Sequence, residues 1–384
     1  MNRILFYDDA NGFGGHTITA IDAVKYILRN SDLAIDFVFF EGNNRLKNQL
    51  MILKEQNSNL RLHPIPYKNG KLSTISALFS PSKVKFVRQI FDSVNPDIIV
   101  LIQGSIESST LGLLAAKSGN YHAISFIPLT HSIAEMKGKL AWIRDLINRY
   151  YYKLPNQFIV ICQSAKDRLL KYNIKKNKIS LVYCGPNTKT LTVYGRKEIR
   201  DKYSLGDDEY VIGVVARIQF VHKAHDFLIQ ALASDTNRLN NIKLLIVGDG
   251  PDETKLKTLV HSYKLEHLVK FVPWKENASE IYSALDMLII PSRFEGLPLV
   301  MLEAMYYNIP IVATNVDGMS EILPKEWLFE FGDRNALVET LLRVKAADNN
   351  NLLAKNREKI LREYNVEEFG AKFYQAISNI SKRE

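Results

Sequence analysis

The chain has 384 residues, of which 46% are hydrophobic and 24% are charged. This composition excludes a disordered or collagen-like chain, and at about 100–200 residues per domain the length predicts two domains. No apolar run approaches the roughly 18–20 residues of a membrane span, and the first residues lack the apolar core of a signal peptide. Two cysteines, Cys162 and Cys184, are too few for a disulfide framework or a cysteine-based metal site. We therefore expect a cytoplasmic protein.

Positive charge is concentrated in the first half of the chain. Residues 1–190 hold 25 Lys and Arg against 13 Asp and Glu, whereas residues 191–384 hold 25 against 28, and the net charge of the whole chain is +9. A basic half joined to a mildly acidic half predicts two domains with different partners. Nucleic acid, anionic lipid and acidic metabolites are all compatible with the charge alone.

Short apolar strands alternate with helical patterns along the chain, which is typical of parallel sheets flanked by helices. In the first half the pattern predicts strands at Arg3–Tyr7, Ile35–Phe40, Leu60–His63, Ile98–Ile102, Ala123–Ile127, Phe158–Ile161 and Ile179–Tyr183, with helices such as Thr17–Leu28, Ser82–Val94 and Ser164–Tyr172 between them. In the second half it predicts strands at Val211–Ala216, Lys243–Val247, Val269–Val272, Met287–Ile290 and Ile311–Ala313.

The strand pattern stops near Gly185 and Pro186 and resumes only at Val211. The sequence therefore predicts two doubly wound α/β domains, at residues 1–190 and 191–365, followed by a helical segment at 366–384. Ligands of such sheets bind beyond the carboxyl ends of the strands. Residues that directly follow strands are therefore the candidates for binding and chemistry.

The most informative segment, residues 291–305, follows a buried strand and begins a helix. Pro298 fits the first turn of that helix, where the free backbone N–H groups of residues 297–300 would favour a phosphate. Glu295 lies in the turn and Glu303 lies more than one helical turn later. The ordinary alternative is one carboxylate favoured by the helix dipole and one solvated carboxylate.

Two further segments of the second half follow strands. Arg217 ends one strand and Lys223 begins the next helix, and such a pair of cations suits a diphosphate whose charge grows as a bond to it breaks; two solvated cations are the alternative. Gly248 and Gly250 follow another strand and would allow a ligand close approach, but they fit a tight turn equally well. A third glycine is missing, so they do not form a dinucleotide-binding fingerprint.

In the first half, the loop that contains Gly14 and Gly15 follows the first strand and would tolerate an anion. His131 follows the fifth strand, although a lone histidine is more often structural than catalytic. The chain contains no Asp-x-Asp, no His-x-x-x-His, no P-loop and no Gly-x-Ser-x-Gly. A metal-dependent or serine-nucleophile mechanism therefore has no support in the sequence.

Together these segments resemble glycosyltransferase family 4, the retaining, nucleotide-sugar-dependent enzymes of the GT-B fold. Glu295 and Glu303 fit the Glu-x7-Glu motif of that family, and Arg217 and Lys223 fit its paired cations; the likeness is looser in the first half. The resemblance implies two Rossmann-like domains that face each other across a cleft, the first binding the acceptor and the second the nucleotide-sugar. It also implies that the last helix crosses back to the first domain. Ala224 departs from the family, which usually has glycine there.

The resemblance implies a role for each matched residue. The implied catalytic residues are Glu295, His131, Arg217 and Lys223, with the two cations stabilising the departing diphosphate. The implied donor-binding residues are Gly14, Gly15, Arg217, Lys223, Gly248, Gly250, Trp274, Lys275, Glu295, Gly296, Leu297, Pro298, Leu299, Val300 and Glu303. The implied acceptor-binding residues are His16, Gly104, Ser105 and His131. No metal ion or cofactor is implied, and the co-substrate is expected to be a UDP-sugar rather than a GDP-sugar.

The expected activity is therefore retaining transfer of a hexosyl-type sugar to a saccharide or lipid-linked saccharide in surface glycoconjugate assembly. Residues 137–153 mix cations with Trp142 and Tyr150 at helical spacing, as a membrane-surface helix does, so peripheral association with the inner face of the cell membrane is one interpretation of this segment. The alternative is a core-facing helix that buries Leu140, Ile143 and Ile147. A soluble small-molecule or protein acceptor and a non-catalytic nucleotide-sugar-binding subunit are rival functions, while no nucleic-acid-binding motif is present.

Overall fold

The computed structural model describes residues 1–70, 72–275 and 277–379, which form two compact units. The first unit contains Met1–Cys184 and the C-terminal segment from Val366, and the second contains Gly185–Asn365. Each unit is built on a parallel sheet, as the alternating pattern predicts. None of the described helices is long and apolar enough to cross a membrane.

The first unit has a sheet of seven strands in the order β3-β2-β1-β4-β5-β6-β7. Every strand predicted for this half is present, at β1 Arg3–Asp8, β2 Ala34–Phe40, β3 Leu60–Ile65, β4 Ile98–Ile102, β5 Ala123–Phe126, β6 Gln157–Val160 and β7 Ile179–Leu181. The five residues of β4 are all buried, because helices cover both faces of the sheet.

Helices connect these strands, at α1 Gly15–Asn30, α2 Asn44–Gln56, α3 Ser73–Leu78, α4 Pro81–Val94, α5 Thr110–Ser118, α6 Ala141–Tyr151 and α7 Gln163–Lys171. Local sequence fixes several of their ends. The Asn43 side chain accepts a hydrogen bond from the backbone N–H of Leu46 and so caps α2, and Asn95 ends α4 in the left-handed conformation that asparagine tolerates.

The second unit has a six-stranded sheet in the order β10-β9-β8-β11-β12-β13. Its strands are β8 Tyr210–Val215, β9 Ile242–Val247, β10 Val269–Val272, β11 Met287–Ile290, β12 Ile311–Thr314 and β13 Leu328–Phe329. The last of these is absent from the sequence prediction. Its helices are α8 Arg196–Lys202, α9 Phe220–Lys223, α10 His225–Ala233, α11 Glu253–Ser262, α12 Ser279–Ala284, α13 Leu299–Tyr306, α14 Asp317–Ile322, α15 Arg334–Ala346 and α16 Asn350–Arg362.

The C-terminal helix α17, Val366–Ser378, belongs to the first unit and packs against α1. Phe369 and Phe373 are buried against Phe126 of β5, and Tyr26 of α1 lies where a side chain at Gly370 would stand. The crossing of the last helix back to the first domain, expected from the family resemblance, is therefore confirmed.

The chain enters and leaves the second unit side by side. Gly185 lies so close to Tyr364 that a Cβ atom on Gly185 would stand 2.1 Å from the Tyr364 carbonyl. Glycine is required at this point by the approach of another backbone. The division between the units therefore falls between Cys184 and Gly185, a few residues before the position 190 expected from the sequence.

Candidate functional site

In the second unit, β8 stands where the strand order reverses, with β9 on one side and β11 on the other. Such a switch point leaves a crevice at the carboxyl ends of the two strands, where open α/β sheets bind ligands. The segment that contains Arg217 follows β8, and the segment that contains Glu295 follows β11. The fold thus brings the two most informative motifs of the sequence to the edge of the sheet that is formed by the carboxyl ends of its strands.

Lys223 and Glu295 form an ion pair at this edge. The Nζ atom of Lys223 lies 2.5 Å from Oε1 of Glu295, and Nε2 of His222 lies 3.7 Å from Oε2. Burial by itself raises the pKa of the Glu295 carboxyl, but Lys223 and His222 lower it more, so the pKa lies well below its ordinary value. Burial and the neighbouring Lys223 lower the pKa of His222. Glu295 is therefore an anion compensated chiefly by Lys223.

The segment around Glu295 is held by its neighbours. The ring of His222 stacks on Phe294 at 4.6 Å, and the backbone N–H of Glu295 donates to Oδ2 of Asp317 at 2.8 Å. The backbone N–H of Gly318 donates to the Gly296 carbonyl at 3.0 Å. These contacts come from the segments after β8 and β12, the strands that flank β11, so the segment is fixed on both sides.

Glu303 lies one helical turn inside α13, which begins at Leu299, one residue after Pro298. The hydroxyl of the buried Tyr282 donates to Oε2 of Glu303 at 2.6 Å. Burial raises the pKa of Glu303, and the Tyr282 hydrogen bond opposes that rise. This carboxylate is therefore anchored through one oxygen. Of the remaining predicted residues in this segment, Gly296, Leu297 and Pro298 are buried, whereas Leu299 and Val300 are partly exposed.

Arg217 is exposed directly after β8, and it forms no ion pair with any acidic residue in the described part of the chain.

The sequence allows two explanations for Gly248 and Gly250, which are close approach of a ligand and a tight turn. In the structure both glycines lie close to the protein backbone. A Cβ at Gly248 would stand 2.1 Å from the Ala216 carbonyl oxygen, and one at Gly250 would stand 2.2 Å from that of Ile218. Because they lack a side chain, both glycines therefore pack directly against the backbone of the segment that contains Arg217.

Trp274 and Lys275 follow β10, the strand at the edge of the sheet. Trp274 is partly exposed, and Nζ of Lys275 lies 3.3 Å from Oε1 of Glu280. Glu280 also accepts hydrogen bonds from the side chains of Lys202 and Tyr203, and its pKa falls to about 2 because of these partners. Lys275 thus belongs to a local ion-pair network, and its role toward a donor stays a prediction.

In the first unit the strand order reverses at β1, between β2 and β4. The segments after β1 and β4 meet there, because the His16 ring lies 3.3 Å from where a Cβ of Gly104 would stand. Burial lowers the pKa of His16, and nearby Asp8 opposes that shift. Gly14 precedes α1, Gly15 is its first residue, and Ser105 is partly exposed beside Gly104. His131 is buried after β5, the strand beyond β4.

Two buried carboxylates at the end of β1 were missed in the sequence. Asp8 accepts from the Thr17 hydroxyl at 3.1 Å, and Asp9 accepts from the backbone N–H of Ser109 at 3.0 Å. Burial and the neighbouring Asp8 raise the pKa of Asp9 to about 7. Adjacent acidic residues at the end of an otherwise apolar strand were the available signal. In the described part of the chain, no three His, Cys, Asp or Glu side chains cluster as metal ligands would.

Helix α6 presents a second surface of interest. Trp142, Leu146 and Tyr150, spaced four residues apart on one face, are 75%, 62% and 48% exposed. Leu140 is also exposed, so the alternative in which a core-facing helix buries it is wrong at that residue, while Ile143 and Ile147 are partly buried.

The inner face of α6 makes apolar and polar contacts, since Ile147 packs against the core of the first unit. Arg144 forms a two-pronged ion pair with Glu107, and Asp145 accepts from the backbone N–H of Ile133 at 2.6 Å. Tyr151 is buried, and its hydroxyl donates to the Thr74 carbonyl at 2.8 Å. The helix is therefore fixed to the first unit through this face, and the stripe of Trp142, Leu146 and Tyr150 lies outside.

Comparison with known protein families gives two matches that together cover most of the chain. The family described as "Glycosyltransferase Family 4" matches residues 14–190, and the family described as "Glycosyl transferases group 1" matches residues 195–363. An uncharacterized glycosyltransferase of Haemophilus influenzae is 30% identical over an alignment of 378 positions that covers 95% of this chain and 99% of that protein.

Other relatives are more distant or align over shorter regions. The O-antigen biosynthesis glycosyltransferase WclY of Escherichia coli is 23% identical, over 86% of this chain and 85% of its own length. The matched region is only about half of two other relatives, 45% of a Methanocaldococcus jannaschii protein and 54% of a Bacillus anthracis protein. Anabaena HepE, solved in complex with UDP and glucose, superposes with a TM-score of 0.79 at 17% identity, over 99% of this chain and all of that one. This likeness confirms the predicted GT-B fold.

Proposed function

The chain belongs to the family-4 glycosyltransferases, and we propose that it transfers a hexosyl group from a UDP-sugar to a saccharide or lipid-linked saccharide with retention of configuration. The observation that carries the proposal is the ion pair of Lys223 and Glu295 at the switch point of the second sheet, with the exposed Arg217 at the same edge. Two cations can bind the diphosphate of a nucleotide-sugar, and a buried carboxylate can accept hydrogen bonds from its hydroxyl groups.

In the proposed reaction the bond between the anomeric carbon and the diphosphate oxygen breaks, and its electron pair remains on the diphosphate. Lys223 and Arg217 stabilise that charge, which grows as the bond breaks. The acceptor hydroxyl forms the new bond on the face that the diphosphate leaves, and its proton passes to the departing phosphate oxygen. Glu295 accepts hydrogen bonds from the sugar, and Glu303 accepts them from the ribose through the oxygen that Tyr282 does not engage. No metal ion is required in this scheme, because side-chain cations carry the neutralisation.

The UDP-sugar is favoured as donor because HepE, which shares the fold, was solved with UDP and glucose. A role in surface glycoconjugate assembly is supported by the Escherichia coli relative, which is an O-antigen biosynthesis glycosyltransferase. We assign the acceptor to the first unit, where His16, Gly104 and Ser105 meet at the switch point and His131 follows β5. A non-catalytic nucleotide-sugar-binding subunit is disfavoured, since every predicted charged group is present.

Arg217 offers the sharpest test of the donor site, because its substitution disturbs no ion pair within the described residues. Arg217→Met is expected to lower release of nucleotide from UDP-hexose by about 10²–10³-fold, as loss of one transition-state donor does, with an unchanged melting temperature. The matched control is Lys325→Met. Lys325 is an exposed cation that precedes β13, so it lies at the amino end of that strand, whereas Arg217 lies at the carboxyl end of β8. Release should be compared for UDP-, GDP- and ADP-hexoses. Equal release by both variants and the wild-type protein would contradict the proposal.

We also propose that the outer face of α6 docks on an anionic membrane, which would place the enzyme beside a lipid-linked acceptor. Trp142 and Tyr150 are residue types that favour the membrane interface, and Lys139, Arg149 and Lys153 lie beside the stripe in the sequence. Phe79, 81% exposed, directly follows α3, a helix that packs against α6. The surplus of 12 positive charges in residues 1–190 would complement anionic lipid.

Sedimentation with phosphatidylcholine vesicles, with and without phosphatidylglycerol, tests this docking. Wild-type protein should sediment only with the anionic vesicles, and Leu146→Ser should bind them about tenfold more weakly, since burial of a leucine is worth about 1.5–3 kcal/mol. Ile52→Ser is the matched control, because Ile52 is a comparably exposed aliphatic residue on α2. Binding that does not depend on lipid charge, or an equal loss in both variants, would contradict docking of this face on anionic lipid, and the absence of any binding would favour a soluble acceptor.

A further inference from the structure

We propose that Asp317 is a positioning residue that fixes the main chain at Glu295 for sugar transfer, an inference that rests on the proposed function. Asp317 is the first residue of α14, directly after the turn that leaves β12. Its side chain does not belong to any motif of the sequence analysis. It is nevertheless buried beside the segment that carries the central carboxylate of the site.

Two hydrogen bonds join the segment after β11 to the turn after β12. Oδ2 of Asp317 accepts the backbone N–H of Glu295 at 2.8 Å, and the backbone N–H of Gly318 donates to the Gly296 carbonyl at 3.0 Å. A Cβ at Gly318 would stand only 2.5 Å from that same carbonyl oxygen, so the two backbones are in close contact. The main chain on both sides of the Glu295 side chain is thereby held.

The backbone of Asp317 itself is unusual, with φ at +48°. An L-residue with a Cβ is disfavoured in this left-handed region, which glycine adopts without strain. The turn alone would therefore be served as well by glycine. What aspartate adds is an acceptor for the Glu295 N–H, in a buried place where an unpaired donor would be costly.

This anchor matters most when a donor binds. In the proposed reaction Lys223 turns toward the diphosphate, and Glu295 then loses the cation that holds its Oε1 atom. The hydrogen bond to Asp317 acts on the main chain and does not depend on Lys223. It would therefore keep the Glu295 carboxylate directed at the sugar during transfer, which affects the rate of the chemical step more than nucleotide binding.

Three variants separate this role from a purely structural one. Asp317→Gly fits the backbone and removes the acceptor, whereas Asp317→Asn keeps an oxygen acceptor and tolerates the same backbone. Asn308→Gly is the matched control, because Asn308 also has positive φ, at +56°, but is exposed after α13. Steady-state kcat and KM for UDP-hexose, UDP affinity and the melting temperature are measured for each.

We expect Asp317→Gly to lower kcat by about tenfold or more, as loss of a charge-assisted hydrogen bond does, with UDP affinity maintained and the protein still folded at the assay temperature. Asp317→Asn should stay within about threefold of wild type, and Asn308→Gly should match it. An unchanged kcat in Asp317→Gly, a lower melting temperature that accounts for its loss, or an equal loss in Asp317→Asn would each overturn the positioning role. If Arg217→Met lowers turnover while Asp317→Gly does not, only the positioning role fails; if wild-type protein cleaves no nucleotide-sugar, the proposed function fails first.

Discussion

The pair of Lys223 and Glu295 predicts an asymmetry between two single substitutions. Glu295 is only 6% exposed and Lys223 is 21% exposed, with 2.5 Å between Nζ and Oε1. Lys223→Met leaves a buried carboxylate without its cation, which costs about 3–5 kcal/mol. Glu295→Gln leaves an ammonium that can turn toward solvent, so we expect a smaller cost of about 1–2 kcal/mol. The double variant removes both charges and should lie within about 1 kcal/mol of wild type.

The expected coupling between the two sites is therefore about 3 kcal/mol or more, well above the few tenths expected for independent sites. Unfolding of the second unit can be followed separately, since Trp274 and Trp327 lie in it and Trp142→Phe removes the third tryptophan of the chain. Urea titrations of the four proteins in that background give the cycle. Additive losses in the double variant, or a larger loss in Glu295→Gln than in Lys223→Met, would refute the reasoning.

Three further predictions concern neighbouring residues. His225 is fully buried, and burial lowers its pKa to about 4. As the pH falls below about 6.5, the unfolded state therefore binds a proton before the folded state does, and the wild-type protein should lose about 2 kcal/mol of stability between neutral pH and pH 5. His225→Phe should not show this loss when both proteins are unfolded by urea at the two pH values. Tyr282→Phe should raise the pKa of Glu303 further. When UDP affinity is measured by calorimetry at successively lower pH values, its decrease should therefore begin at a higher pH in this variant than in the wild-type protein. Gly248→Ala should cost more than about 3 kcal/mol because its Cβ meets a carbonyl oxygen, whereas Gly332→Ala, with positive φ but open space, should cost about 1–2 kcal/mol in thermal unfolding.

Strand prediction succeeded because the sheets are buried on both faces. Strands such as β4 and β11 are continuous apolar runs in the sequence, and such runs require no tertiary information to be recognised. The strand β13 was missed because its two residues, Leu328 and Phe329, are too few to show any period. These two residues form a strand only because they pair in parallel with β12.

The candidate site could be predicted only in part, for a related reason. Arg217 and Glu295 each follow a strand, and the topology of a doubly wound sheet then brings the ends of β8 and β11 together. Asp317 and Tyr282 were not predicted, because their role depends on contacts between loops distant in sequence. Gly248 and Gly250 were visible as a turn, but only the structure shows that the carbonyls of another loop occupy the space beside them.

Helix α6 shows what periodicity cannot decide. A stripe of Trp142, Leu146 and Tyr150 predicts an apolar face but not what that face contacts. Arg144 and Asp145 determine the orientation of this helix. They bind the opposite face to the first unit through Glu107 and the backbone of residues 133 and 134. Ile143 and Ile147 form a second apolar face that is partly buried, so the hydrophobic pattern alone does not determine which face packs inside.

In the proposed mechanism, the charges of the second unit serve to select the donor more than to attract it. Residues 185–365 hold 23 Lys and Arg against 25 Asp and Glu, so no general positive field draws anions to Arg217 and Lys223. In the proposed mechanism Lys223 must leave Glu295 before it can serve a diphosphate, and the free energy of that ion pair opposes any anion that merely replaces it. A nucleotide-sugar offsets the loss, because its hydroxyl groups satisfy the Glu295 carboxylate that Lys223 vacates. A bare phosphate cannot do so, and in the proposed mechanism the ion pair would therefore discriminate a complete donor from smaller anions.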